Sequence, residues 1–443
     1  MAPGYIGVIG AGLAGLSAAL ELKRRGFTVD LLERSRLLGG KATSFIVGDV
    51  EVDNGQHVYL ACCTEFVDFA RQLGYEATPD GALFLQDRFD ALLLAPGRAA
   101  ARLRAVPLPA PWHLAPALLR YRHLRPAVRL RVALALRAAR KPARPGETFA
   151  SWLQRHRQPD EARTAFWDPF FVPALNAPLD QVSAEAALFV ISTAFLQKAS
   201  AARFGYARVP LARIAEAAAD QLDGVYLRTP VARLQIADGH AKEPTLEDVV
   251  LEDESRRAYD AVVLAVPPHR LKRLLGDPEQ LGICGLDEFH PAPIVDIHLW
   301  YDLPTFGFGF AALLDSPVQW VFEKGAGYLC CSMSAAEEYI GQPSADLIDL
   351  CHRELAAVLP ALRGKTPLRG AVTRDREATF VPTPGLQRPG PVTGCPQVVL
   401  AGAWTDTGWP ATMESAVRSG RAAARVVASR FPERQARDDG HAK

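Results

Sequence analysis

The segment that most limits what this chain can become is Tyr5 to Lys41, YIGVIGAGLAGLSAALELKRRGFTVDLLERSRLLGGK. An apolar, β-branched run ends at Gly10, the turn Gly10-Ala11-Gly12-Leu13-Ala14-Gly15 follows, a helical pattern runs through Arg25, and Thr28 to Glu33 returns to a strand. That order of strand, turn, helix and strand predicts a parallel sheet and an α/β fold. Gly10 permits a tight turn off the first strand, Gly12 lets the backbone come close to a bound group, and Gly15 lets the helix settle on the sheet. The unpaired N–H groups of Gly12, Leu13, Ala14 and Gly15, together with the positive end of the helix dipole, form a seat for an anion.

Glu33 says which anion. It ends the second strand 18 residues beyond Gly15, close to the roughly 20-residue offset of an acid that accepts hydrogen bonds from an adenosine ribose. A glycine-rich turn that binds nothing is the plainer alternative, and the strand before, the helix after and the acid at this offset count against it. The expected ligand is a dinucleotide.

Gly39-Gly40-Lys41, shortly after that acid, resembles the extended fingerprint of flavoproteins of the amine oxidase and phytoene desaturase superfamily. The resemblance implies FAD rather than NAD, with Gly40 letting the loop approach the cofactor and Lys41 near its phosphates or ribose. Asp53-Asn54-Gly55-Gln56-His57, followed by a helix start at Thr64-Glu65 and a helix end at Leu73-Gly74, resembles the squalene-associated FAD-dependent desaturase group, whose better-defined activity is hydroxysqualene dehydroxylation. This implies that Gly55 and Gln56 lie along the flavin ring, and that hydroxysqualene loses water and takes a hydride from reduced FAD to give squalene, as in squalene and hopanoid biosynthesis. Loss of hydroxide needs a proton donor and a dry site. From its place beside the flavin segment, His57 is the expected donor, with Asp53 orienting it. His57 reads equally as a packed histidine at a strand end.

The bulk numbers agree with a large enzyme. The 443 residues suit two interleaved domains, and a net charge of +1 points to no nucleic-acid partner. Seven cysteines, including the adjacent pairs Cys62-Cys63 and Cys330-Cys331, form no CxxC pattern, so reduced thiols and no metal site are expected. The first apolar run is the first strand of the fold and carries no basic leader. No run of about 18 apolar residues is present to span a bilayer. The expected location is cytoplasmic, peripheral on the inner face of the cytoplasmic membrane.

The chain divides by composition and by the same resemblance into a Rossmann-like FAD-binding domain interleaved with a mixed-sheet substrate domain and a helical insertion. Residues 1–90, 223–275 and 391–431 are expected to build the FAD-binding domain, 276–390 the substrate sheet and its helix, and 432–443 a disordered tail. Residues 91–222 are expected to be the helical insertion. Its first part, 91–146, holds 12 Lys or Arg and no Asp or Glu. Residues 112–140 read as two short helices broken at Pro126, with Arg interleaved among Leu, Val and Trp. Basic amphipathic helices of this kind lie on anionic bilayers. A helical cap with a solvated basic face is the alternative. The run WDPFFVPALN, Trp167 to Asn176, fits either plain core or the lining of an apolar tunnel for a long isoprenoid.

Two later stretches complete the cofactor reading. Val231, after the strand near Val225, takes the superfamily's valine position against the adenine. Val398 to Gly420, a strand ending in Ala401-Gly402, a loop, and a helix opening on Thr412-Met413-Glu414, matches the terminal flavin motif. In that motif the helix N-terminus faces the flavin pyrimidine carbonyl, so Gly402, Thr412 and Met413 are expected contacts. The family places an acid directly after Ala-Gly where this chain has Ala403, and Asp406 is the expected substitute. The same residues would serve hydride transfer in the other direction, so desaturation of a carotenoid-type polyene and flavin amine oxidation are the rival enzyme readings. A flavin- or lipid-binding scaffold is the non-enzyme rival.

Overall fold

The computed structural model describes residues 4–237 and 244–431; the tail, 432–443, lies outside the described residues. Strand β1 (Tyr5–Ile9), helix α1 (Leu13–Arg24) and strand β2 (Thr28–Leu32) form where the opening segment predicts them. They sit in a parallel sheet ordered Gly224–Tyr226, β2, β1, Ala261–Leu264, Val398–Leu400. Ile6, Val8, Leu31, Val262, Val263 and Val399 are buried, as expected of strands covered on both faces. The C-terminal helix Met413–Arg430 crosses α1 so closely that a Cβ on Gly420 would lie 2.1 Å from the Ala14 carbonyl oxygen.

All five strands run the same way, so their carboxyl ends open on one edge. Gly10, Glu33, Leu227, Ala265 and Gly402 follow or lie just past those ends. This is the edge at which open α/β sheets bind ligands.

A second sheet is ordered Arg369–Phe380, Pro291–Trp300, Tyr328–Ser334, Trp320–Gly325, Phe310–Leu313, Asp90–Leu94, Ala101–Arg104. Its last two strands correct the expectation that 91–222 is helical from the start. The basic composition of this stretch concealed a period-two pattern: in Ala101–Arg104 buried and exposed residues alternate strictly, and Pro96-Gly97 supplies the turn between the pair. The helical part begins at Trp112 and includes Ala115–Arg120, Pro126–Ala138, Phe149–Arg155, Asp168–Leu175 and Ala184–Val190. Pro126 opens its helix, where its missing N–H costs nothing.

The central strand Pro291–Trp300 sorts its side chains by alternation. Val295, Ile297 and Leu299 join the core under helix Ser344–Val358. Asp296 and His298 face the other way, on the side where Phe310, Trp320 and Phe322 pack against the helical insertion. Of the WDPFFVPALN run, Trp167 and Phe171 are core, while Phe170 meets Trp320 with ring centroids 6.0 Å apart.

Candidate functional site

The opening turn is built for close approach. Gly10 has φ +104, and a Cβ there would stand 2.5 Å from the Ala265 carbonyl oxygen. A Cβ on Gly15 would stand 1.8 Å from the Gly10 carbonyl oxygen, so no side chain fits between turn and helix. The Gly39 N–H donates to the Ala11 carbonyl at 2.8 Å, and a Cβ on Gly40 would lie 3.0 Å from Gly12 Cα. Gly12 caps α1 without a side-chain hydrogen bond, leaving the first-turn N–H groups of Leu13, Ala14 and Gly15 for another acceptor. Glu33 is buried and bridges this turn to the second strand's end, accepting from Ala11 N–H at 2.8 Å and from Ser35 N–H at 2.7 Å. The Thr229 N–H donates to the Glu33 carbonyl at 2.8 Å, which carries the half-buried Val231 to the same edge. Lys41 is exposed and ion-pairs with Asp375 at 3.3 Å, so the structure turns it toward strand Arg369–Phe380.

From Gly40 a continuous path leads to the second sheet. The Asn54 N–H donates to the Thr43 carbonyl at 2.8 Å, and the Asn54 amide reaches the Lys41 carbonyl at 3.3 Å. The next two residues meet Asp296: a Cβ on Gly55 would stand 2.8 Å from Asp296 Oδ2, and the Gln56 N–H donates to Oδ1 at 3.2 Å. Burial, with Asp53 and Asp375 as like charges, pushes the Asp296 carboxyl up to about 7. His298, on the same face, has Nδ1 2.8 Å from the Tyr328 hydroxyl, and burial lowers the imidazole to about 4. Four buried atoms along this path, Thr43 Oγ1, Gln56 Oε1, His298 Nε2 and Thr373 Oγ1, have no hydrogen-bond partner among the described residues.

Asp53 and His57 are not brought together as expected. Asp53 accepts from Ser44 Oγ at 2.7 Å and from Leu211 N–H at 2.9 Å, with Lys324 Nζ 3.5 Å away. The half-buried His57 turns its Nδ1 to the Gly55 carbonyl at 3.0 Å. The physical reason is the intervening Asn54-Gly55 bend, which leaves Asp53 in a hairpin with Ser44 and sends His57 into the following segment.

The terminal loop closes the site from the last strand. Gly402 N–H donates to Ser419 Oγ at 2.9 Å, and Thr412 caps its helix by accepting from Ser415 N–H at 3.3 Å. Met413 is half-buried at the helix start. Glu414 turns away, accepting from Phe66 N–H at 2.8 Å and pairing with Arg418 at 2.7 Å. Asp406, the expected substitute for the acid missing at Ala403, is exposed, and its carboxylate accepts from Gly408 N–H at 3.1 Å. The interior charge of this loop is Arg388. Its guanidinium donates to the carbonyls of Ala403 at 2.8 Å, Trp404 at 3.0 Å and Trp409 at 2.5 Å, and also to Thr405. Burial lowers it to about 10, so it stays charged at neutral pH.

Asp296, His298 and Arg388 are thus the candidate site residues that sequence reasoning missed. A charged residue at an inward position of an apolar strand, and an arginine amid Pro and Gly just before the last strand, were the available signals.

Comparison with known proteins fits this architecture. The family described as flavin containing amine oxidoreductase matches residues 13–428. The chain belongs to that family. It is similar to the hydroxysqualene dehydroxylase of Sinorhizobium fredii, 28% identical over 449 residues that cover 96% of this chain and 99% of that protein. It is also similar to that of Rhodopseudomonas palustris, 30% identical over 443 residues covering 95% and 97%. The cyclohexylamine oxidase structure from Brevibacterium oxydans superposes with a TM-score of 0.70 at 17% identity, covering 96% of this chain and 99% of that one, which shows the fold. This chain is therefore a flavin oxidoreductase with an α/β, amine-oxidase-type architecture. Its residues fit a flavin nucleotide: the cradle leaves no room for a Cβ at Gly10 or Gly15 and little at Gly40, the α1 N-terminus has no side-chain cap, and four orphaned buried atoms lie along one path from that cradle.

Proposed function

We propose that this oxidoreductase holds FAD and reduces hydroxysqualene to squalene with loss of water, serving squalene and hopanoid biosynthesis. The observation that carries the reading is the face of the second sheet opposite the Ser344–Val358 helix. There a buried polar strip, Asp296, His298 and Thr373, borders an aromatic wall in which Phe204 lies 5.4 Å from Trp320 and Phe310 5.9 Å from Phe322. A long hydrocarbon bearing one hydroxyl group matches such a surface, since its chain is desolvated against rings while its single polar atom meets polar partners. The likeness to hydroxysqualene dehydroxylases supports the same substrate.

In this reading Gly12, Leu13, Ala14 and Gly15 receive the pyrophosphate, Glu33 the ribose and Val231 the adenine. Gly55, Gln56, Gly402, Thr412 and Met413 border the flavin ring, and Lys41 steadies the Gly39-Gly40 loop through Asp375. Reduced FAD, when bound, supplies the hydride. The aromatic wall excludes water from the carbon that receives it. The test is anaerobic incubation of the FAD-loaded, chemically reduced protein with hydroxysqualene. Squalene is the expected product; a dehydrogenated polyene formed from a saturated precursor by the oxidised protein would favour desaturation instead.

The proposed location is the inner face of the cytoplasmic membrane, through residues 112–140. Leu108, Trp112, Leu119, Leu130 and Leu134 are exposed, among exposed arginines and with no acid between 91 and 146. Among the described residues no helix is long and apolar enough to cross a membrane. Arg125 pairs with Glu161 at 2.6 Å and Arg129 donates to the Leu124 carbonyl at 2.8 Å, so Arg120, Arg122, Arg131 and Arg137 are the better probes. With about 1 kcal/mol per basic residue near an anionic surface, changing all four to Ser should weaken sedimentation with phosphatidylserine vesicles at least about tenfold at ~0.1 M salt. Equal binding would end the proposal.

A further inference from the structure

Within the reading of the substrate as an isoprenoid alcohol, on which this inference rests, we propose that Asp296, and not His57, protonates the departing hydroxyl group. Position is the first ground. Asp296 is reached by an unbroken run of contacts from the glycine cradle: Gly12 to Gly40, Lys41 and Thr43 to Asn54, then Gly55 and Gln56 to the carboxylate itself. It stands where that run meets the aromatic wall, so one carboxyl group faces both the cofactor segment and the apolar surface.

Unspent hydrogen-bonding capacity is the second ground. Thr373 is the direct cross-strand partner of Asp296, and His298 lies two residues along the same face. Both are buried, and Thr373 Oγ1, His298 Nε2 and the nearby Gln56 Oε1 have no partner among the described residues. Buried polar atoms are rarely left unpaired, and three around one carboxyl group mark a place where a ligand hydroxyl completes the network. His57, by contrast, is only partly buried and already engages the Gly55 carbonyl.

Protonation agrees with geometry. The groups facing Asp296 are the carboxylates of Asp53 and Asp375, the hydroxyls of Ser332 and Tyr328, the His298 imidazole and the Cys330 thiol, while Cys331 lies on the opposite face of the sheet. Of the cations nearby, Lys324 lies 3.5 Å from Asp53 and Lys41 3.3 Å from Asp375. Burial and the two like charges therefore hold the proton on Asp296 to about pH 7. The step balances: the Asp296 O–H proton goes to the substrate hydroxyl, the C–O bond breaks with its electron pair leaving as water, and the carbon takes the hydride that reduced flavin supplies. The flavin ends two electrons oxidised, and the carboxylate regains a proton from solvent before the next turnover.

The test compares FAD-loaded wild type, Asp296→Asn and His57→Ala in single turnovers with hydroxysqualene, reading squalene and flavin reoxidation. Asp296→Asn should slow the step at least about a hundredfold with KM changed by less than about threefold. The wild-type rate should fall about tenfold per pH unit above about 7, because only the acid form donates. Infrared difference spectra of substrate-free holoenzyme should show a protonated-carboxyl band titrating near pH 7 in wild type and absent from Asp296→Asn. If Asp296→Asn fails to load flavin, the wild-type pH profile and infrared titration decide. An undiminished Asp296→Asn, a flat wild-type profile from about pH 6 to 9, or a loss confined to His57→Ala overturns the assignment alone. A wild-type holoenzyme that makes no squalene overturns the substrate reading and this assignment together.

Discussion

Gly15→Val should yield a folded protein without its yellow cofactor. Any Cβ at this position falls 1.8 Å from the Gly10 carbonyl oxygen, and that atom belongs to backbone held on both sides, with Gly10 N–H on the Leu32 carbonyl at 2.8 Å. The strain can be relieved only by lifting α1 off the turn, which displaces the N–H groups proposed to hold the pyrophosphate. A displacement costing about 4 kcal/mol at the seat corresponds to roughly a thousandfold in affinity. The ratio of flavin to protein absorbance after gel filtration checks this, with far-ultraviolet circular dichroism to show that the fold survives. A variant that keeps its full flavin complement would mean that the cofactor is not seated on this turn.

Arg388→Met should loosen the other end of the site. The half-buried guanidinium donates to the carbonyls of Ala403, Trp404, Thr405 and Trp409, and methionine fills a similar volume without a donor. Leaving several part-buried carbonyls without this donor, at about 1 kcal/mol each, costs up to about 4 kcal/mol, concentrated in the loop between Gly402 and Thr412. The removed charge also matters. A cation behind this loop favours the negative charge of a reduced flavin, so the variant should lower the flavin midpoint potential as well as the urea midpoint of unfolding. Arg388→Lys should recover most of the potential, through charge, and little of the stability, because an ammonium cannot serve so many carbonyls in one plane. An Arg388→Met protein with unchanged unfolding and unchanged potential would show that the arginine is merely tolerated there.

Much of this site could be read before the fold was seen, and the reason is local. Tyr5 to Glu33 is a short-range pattern in which each residue's neighbours in sequence are also its neighbours in space, so spacing predicts the turn and the helix start, whereas Val398 to Met413 is legible through its resemblance to the terminal flavin motif. Asp296 is different. In sequence it is one charge in an apolar strand, and its meaning comes from pairing with Ser332 and Thr373 and from contact with Gly55, all distant along the chain. Arg388 is likewise ordinary until the loop after Gly402 wraps its carbonyls around it. Asp53 and His57 show the opposite hazard: close in sequence, they are separated by the bend at Asn54-Gly55. The strand pair Asp90–Leu94 and Ala101–Arg104 was hidden because a basic composition drew attention from a simple alternation.

The most direct test of the central claim follows electrons and atoms at once. Purified protein is loaded with FAD in D2O buffer, reduced chemically under nitrogen, freed of excess reductant in the same buffer and mixed with one equivalent of hydroxysqualene. The account predicts flavin reoxidation in step with the appearance of squalene carrying one deuterium, one equivalent each. Flavin that stays reduced while hydroxysqualene is recovered unchanged would contradict it.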